Sequence, residues 1–200
     1  MRFSIALPQG ICAIALAAGL ACDGPNETTL VSLRLKDAPG DLQQAVVTIR
    51  EIDLVGSGGV QVLTTTPTTT DLLTLTATTA TLVQDAEVPS GTYSQLRFKI
   101  TGACIVVDNG DATSSIYTTE GYDPAPCGGP PAGVLQAPSF DESGLKVTMG
   151  AGALEITGPA KVLLVDFDVS QSFGNATGGS DGWVMHPVIT GTTLETGATS

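Results

Sequence analysis

From Leu30 onward the apolar positions recur every second residue. Val31, Leu33 and Leu35 share one parity, with Ser32, Arg34 and Lys36 opposite. Leu96, Phe98 and Ile100 alternate with Gln95, Arg97 and Lys99, and Leu145, Val147 and Met149 alternate with Lys146 and Thr148. Leu163, Val165, Phe167 and Val169 alternate with Leu164, Asp166 and Asp168. A period of two marks strands with one face in a core and one face wet. Gly, Pro, Asp and Ser punctuate these segments, and no stretch has the 3.6-residue apolar period and caps of an amphipathic helix. The pattern predicts an all-β domain, an antiparallel β-sandwich of about seven to nine strands.

Three segments depart from simple alternation. Ala45, Val47 and Ile49 give way to Ile52 and Leu54 on the other parity. One extra residue does this, which predicts a β-bulge near Arg50–Glu51. Residues 64–82 hold eleven threonines in nineteen positions, interrupted by Leu72, Leu73, Leu75 and Leu82. Threonine favours strands, so two strands with a turn around Pro67 are expected, the alternative being an extended glycosylated stalk. Residues 103–143 carry Cys104, Cys127, Tyr117, Tyr122 and the run Pro124 to Pro131. Pro and Gly deny this region a long ladder, so it reads as a long excursion stapled by a disulfide.

The N-terminus changes the picture from fold to location. Arg2 precedes an apolar run, Ile11 to Ala21, of eleven residues. A membrane-spanning helix needs about 20, so residues 1–21 read as a secretory signal. The signal ends Gly19-Leu20-Ala21-Cys22, which resembles a bacterial lipobox with its leucine one place nearer the cysteine than usual. Cys12 leaves with the signal. Cys104 and Cys127 are able to pair in an oxidising compartment, and Cys22 would remain odd unless lipidated. Lipidation at Cys22 is therefore expected, with the membrane as partner through that lipid. Asp23 resembles the residue that keeps some lipoproteins in an inner membrane. Residues 22–29 read as a polar tether, 30–190 as the domain and 191–200 as a tail.

Removing residues 1–21 from the 200-residue chain leaves 179, enough for one domain with its own core. The same step removes one base and no acid, taking the net charge from −12 to −13. A surface this negative repels phosphate backbones, so nucleic acid is not an expected partner.

Several motifs recur in a known order. Leu35-Lys36-Asp37-Ala38-Pro39-Gly40-Asp41 leads into a strand, and Val88-Pro89-Ser90-Gly91-Thr92-Tyr93 leads into Gln95-Leu96-Arg97-Phe98. Ala137-Pro138-Ser139 precedes Gly144 to Val147, Leu163 to Asp168 precedes Ser172-Phe173, and Met185-His186-Pro187-Val188-Ile189 closes the series. Over roughly residues 30–190 this resembles the bacterial domain of unknown function 4382, common in exported lipoproteins. The resemblance implies an immunoglobulin-like or transthyretin-like sandwich and no catalytic residues. The Cys104–Cys127 excursion is not part of the pattern. Physically, Asp-Ala-Pro-Gly-Asp is turn chemistry, and Tyr93 is placed to pack its ring and hydrogen-bond across a corner.

Candidate chemistry is sparse. Gly178-Gly179-Ser180-Asp181-Gly182 satisfies G-x-S-x-G but lacks the preceding buried strand and following helix of a nucleophile elbow, and reads as a hairpin loop. The single histidine, His186, leaves most metal and acid–base schemes without partners. Asp166 with Asp168, and Asp108 with Asn109 and Asp111, are calcium candidates, since calcium takes six to eight oxygens from such groups, although neither set has EF-hand spacing. Tyr117, Tyr122 and Trp183 are candidates for sugar-binding platforms. The expectation is a non-catalytic envelope binding or structural module with no cofactor, its partner an unidentified envelope component. The alternatives are a carbohydrate- or calcium-binding surface and, less favoured, an enzyme with an unrecognised site.

Overall fold

A computed structural model describes residues 27–38, 42–138, 140–150, 152–175 and 182–194. The protein is all-β. Fourteen strands occur among the described residues: β1 (Thr28–Ala38), β2 (Gln44–Gly56), β3 (Gly59–Thr64), β4 (Thr68–Asp71), β5 (Ala80–Pro89), β6 (Gly91–Asp108), β7 (Ser114–Thr118), β8 (Gly133–Gln136), β9 (Leu145–Met149), β10 (Leu154–Ile156), β11 (Ala160–Asp168), β12 (Phe173–Asn175), β13 (Trp183–Met185) and β14 (Ile189–Leu194). Two four-residue helices interrupt them, α1 (Phe140–Ser143) and α2 (Val169–Ser172).

The strand total exceeds the seven to nine expected, because pieces as short as Leu154–Ile156 carry too few positions to show a period. The purely antiparallel expectation also needs correction. Four pairings are parallel: β1 with β11, β14 with β9, β7 with β8 and β8 with β13. The first is nine residues long and brings together segments 130 apart in sequence, a pairing that alternation within either segment cannot reveal.

Pairing runs β12-β13-β8-β7-β6-β9-β14-β11-β1-β5, with β2 on the other edge of β6, β3 and β4 on β2, and β10 on β6. Leu33, Leu35, Leu163, Val165 and Phe167 meet Ile52, Leu54, Leu96 and Phe98 in one core. β9 joins the two groups of strands, since it pairs with both β6 and β14.

The expected bulge is present. Ile49 pairs with Ile100 and Glu51 with Lys99, so Arg50 is the extra residue of β2. β6 has its own extra residue, Thr101, because Thr48 pairs with Gly102 while Ile49 pairs with Ile100. The inward parity of β6 therefore changes from Leu96, Phe98 and Ile100 to Ala103 and Ile105. Cys104 and Val106 consequently point to the opposite face, where they form a second small core with Val46, Cys127, Ile116 and Tyr122.

The threonine-rich segment gives the ends of β3 and β4 with Pro67 between them. It then forms a 3-10 turn, Leu72–Leu75, whose Asp71 carboxylate accepts from the Leu73 N–H, and passes into β5. Tyr93 is buried, and its hydroxyl donates to the Pro89 carbonyl at 2.7 Å, the corner contact expected of it.

Candidate functional site

The Cys104–Cys127 disulfide is formed, with Cα atoms 6.3 Å apart. It ties the excursion onto the outer face of β2 and β6. Tyr122 packs directly on Gly102: a Cβ there would stand 2.3 Å from the Tyr122 ring. The Tyr122 hydroxyl shares a 2.8 Å hydrogen bond with that of Thr48. Tyr122 is thus a packing residue of the second core.

Tyr117 goes to the other face. It sits beside Ile105 and Gly133, with its ring 6.2 Å from that of Trp183 and tilted by 49°. Both rings are half-buried against the main core. Of the three aromatic candidates, the fold brings Tyr117 and Trp183 together and leaves Tyr122 apart.

The acidic candidates have separate tasks. Asp166 pairs with Lys36 across β1 and β11. Asp168 caps α2, accepting from the Ser170 hydroxyl at 2.6 Å and the Gln171 N–H at 3.1 Å. The Ser170 hydrogen bond, ahead of those from Gln171, holds the Asp168 carboxyl below its ordinary value. Asp108 accepts from the Gly110 N–H at 2.8 Å, and Asp111 from the Thr113 N–H at 3.0 Å, so both carboxylates close their own turn. Among the described residues no three His, Cys, Asp or Glu side chains are grouped to hold a metal. His186 is exposed. Cys22 and Gly178–Asp181 lie outside the described residues.

Two features lay outside the sequence reading. The first is a charged cluster on the outer face of β2 and β6. Lys99 Nζ lies 2.5 Å from Glu51 Oε1 and 3.5 Å from Asp53 Oδ2. Asp53 is 3% exposed, and its Oδ1 has no hydrogen-bond partner. Burial first, then the neighbouring Glu51 charge, raises the Asp53 pKa, whereas the Lys99 hydrogen bond lowers that of Glu51. Alternation marks Asp53 as an outward residue between Ile52 and Leu54. Val62 of the adjoining β3 and Arg97 of β6, the latter 44 residues away, flank it in the sheet.

The second feature is a half-open cleft of about 530 Å³ between β6, β8 and α1. Ile100, Leu135 and Met185 contribute apolar lining, and Glu120, Asp141 and Glu142 contribute acids. Arg50 reaches α1 there, its Nε 2.5 Å from Asp141 Oδ1 and its Nη2 donating to the Asp141 carbonyl at 2.9 Å. The bulge at Arg50 is what aims this side chain outward. Glu120 is readable as a loop acid, but only the tertiary fold sets it beside α1.

This all-β domain, with its stapled loop and acidic cleft, matches a family model described as Domain of unknown function (DUF4382) over residues 28–187. The chain belongs to that family. No curated protein and no solved structure matches it.

Proposed function

We propose that the protein is a cell-envelope lipoprotein, anchored through lipid at Cys22, whose domain acts as a non-catalytic binding or structural module. The observation that carries this reading is the contrast between engaged and available groups. The candidate acids and Tyr122 make internal contacts, while the disulfide-tied segment, β8 and α1 frame an open cleft. Rigid strands that present a loop-lined recess suit recognition. The short apolar run before Cys22 supports export and anchoring, and Cys104–Cys127 pairing fits an oxidising compartment. The two strand groups around one core support a sandwich related to immunoglobulin-like or transthyretin-like domains.

Fractionation and cross-linking test this together. Wild type should sediment with membranes, carry a diacyl or triacyl mass on Cys22 and cross-link to an envelope component. Cys22→Ser should release the protein, since two or three acyl chains supply the attachment and one alone binds only marginally. An unmodified soluble wild type would reject the anchor, and no cross-linked component would reject the binding role. A carbohydrate-binding reading has one supporting observation, the half-buried Tyr117–Trp183 pair. Trp183→Ala would have to abolish binding to envelope polysaccharide for that reading to stand.

A further inference from the structure

The place where the fold begins decides which end of the molecule an anchor at Cys22 would hold. Cys22 stands five residues before Glu27, and five residues span at most about 18 Å whatever path they take. Glu27 and the start of β1 are fixed at one end of the domain. The Glu27 carbonyl accepts from the Ser90 N–H at 2.7 Å, and the Thr29 hydroxyl donates to the Gly158 carbonyl at 2.8 Å. Three connections meet at this end: Ser57-Gly58 between β2 and β3, Ser90 between β5 and β6, and Thr157-Gly158-Pro159 between β10 and β11. The registers gather them, since Thr28 pairs with Pro89, Leu30 with Ala160, Ile156 with Gly91 and Gly56 with Tyr93. None of these connecting residues is charged, and the charges beside them, Glu27, Glu87, Glu155 and Lys161, sum to −2 (three acids, one base). Asp71, Asp108, Asp111 and Asp168 stand at the connections of the opposite end, which hold no lysine or arginine among the described residues.

We propose that the protein stands on a lipid bilayer by the turns at Ser57-Gly58, Ser90 and Thr157–Pro159, and that the Cys104–Cys127 loop projects into the aqueous compartment. The inference rests on the lipid anchor at Cys22 and adds which surface meets the bilayer. Along β6, Gly91 and Cys104 are 13 residues apart, about 40 Å at the rise of a strand. The segment from Cys22 to Glu27 is shorter than that, so the stapled loop reaches lipid only if the domain lies flat. Lying flat would bring the four aspartates of the far end to the headgroups. Anionic headgroups repel them within a Debye length of about 8 Å. The flank offers little in return, because Lys36, Arg50 and Lys99 are already paired with Asp166, Asp141 and Glu51. The end that the anchor holds close is also the end that meets the least repulsion.

The test uses the full chain expressed with its signal segment and reconstituted through its own anchor. The vesicles contain phosphatidylcholine, phosphatidylglycerol and a trace of rhodamine-labelled lipid. Ser57→Cys, Thr157→Cys and Ser114→Cys each supply one thiol for a donor fluorophore, since lipid and disulfide occupy the other cysteines of the mature chain. All three positions are exposed, and Ser114 pairs with Asp108 at the far end. Energy transfer to the lipid should be at least twofold more efficient from the labels at Ser57 and Thr157 than from the label at Ser114. Replacing phosphatidylglycerol by a cationic lipid should raise transfer from the Ser114 label, because the far acids are then attracted. Equal transfer from all three labels, as a domain lying on its Arg97–Lys146 flank would give, overturns the orientation while the anchor stands. Stronger transfer from the Ser114 label, or no response to cationic lipid, does the same. Wild-type protein that fails to float with the vesicles overturns the anchor reading, and the orientation with it.

Discussion

The two halves of β6 lie on either side of Thr101 and solve different problems. From Gln95 to Ile100 one face is core and the other is wet, with Arg97 and Lys99 outward beside Asp53 and Glu51. From Gly102 to Val106 both faces are covered. Ala103 and Ile105 enter the main core, while Cys104 and Val106 lie under the stapled loop. One inserted residue changes which parity faces the main core, so a single strand serves two cores. The first half depends on the large core, and the second depends in addition on a loop that a covalent bond retains. Loss of the staple should therefore loosen the second half alone, whereas loss of the main core should reach both.

The largest effect should come from the first half. Phe98 is 1% exposed, and Phe98→Ala should cost about 3–5 kcal/mol by chemical denaturation. A value near that of an exposed residue would mean that the main core is not where β6 places it. Opening Cys104–Cys127, which spans 23 positions, should cost about 3 kcal/mol through the loop entropy of the unfolded chain. Hydrogen exchange should then accelerate in β7 before β9. Uniform acceleration across the domain would erase the distinction between the halves.

Tyr122→Phe keeps the ring over Gly102 and removes the bond to Thr48, so a loss of about 1 kcal/mol is expected, confined to the stapled face. The smallest effect has the opposite sign. Asp53 has its pKa raised by burial, so the folded state holds that proton more tightly than the unfolded chain. Its contribution is most favourable at low pH and is lost as pH rises from its ordinary value through the raised one. Asp53→Asn should therefore stabilise the domain by up to about 1 kcal/mol at pH 7, with the gain vanishing below about pH 4. Urea melts at several pH values check this. Destabilisation at pH 7 would show that the Lys99 contact outweighs the burial cost.

Parts of this contrast were legible early. The loss of phase between Ile49 and Ile52 located the Arg50 bulge, but the expectation that residues 103–143 form an excursion outside any long ladder needs correction, since β6 continues through Ala103 to Asp108. The turn before Tyr93 announced a corner, and the hydroxyl closes it. The aromatic candidates were harder to place. Tyr117 and Tyr122 are five residues apart, yet one, in β7, joins Trp183 at the main core and the other joins the disulfide. Neither spacing nor residue type distinguishes them, because the choice depends on which face of β6 each meets. The cleft was not legible, since its acids come from a loop at Glu120 and from α1, which only the fold brings together.

The sequence by itself determined the all-β class, the inward faces of the long strands, the bulge, the turn chemistry and the family, because alternation and turn residues act over a few neighbours. The tertiary structure alone decided the parallel β1–β11 pairing, the burial of Asp53, the partners of the tyrosines and the acidic cleft. Each of these depends on segments tens of residues apart meeting across a sheet. Strand pairing uses backbone groups common to almost all residues, so the choice of partner is left to the packing of the whole domain.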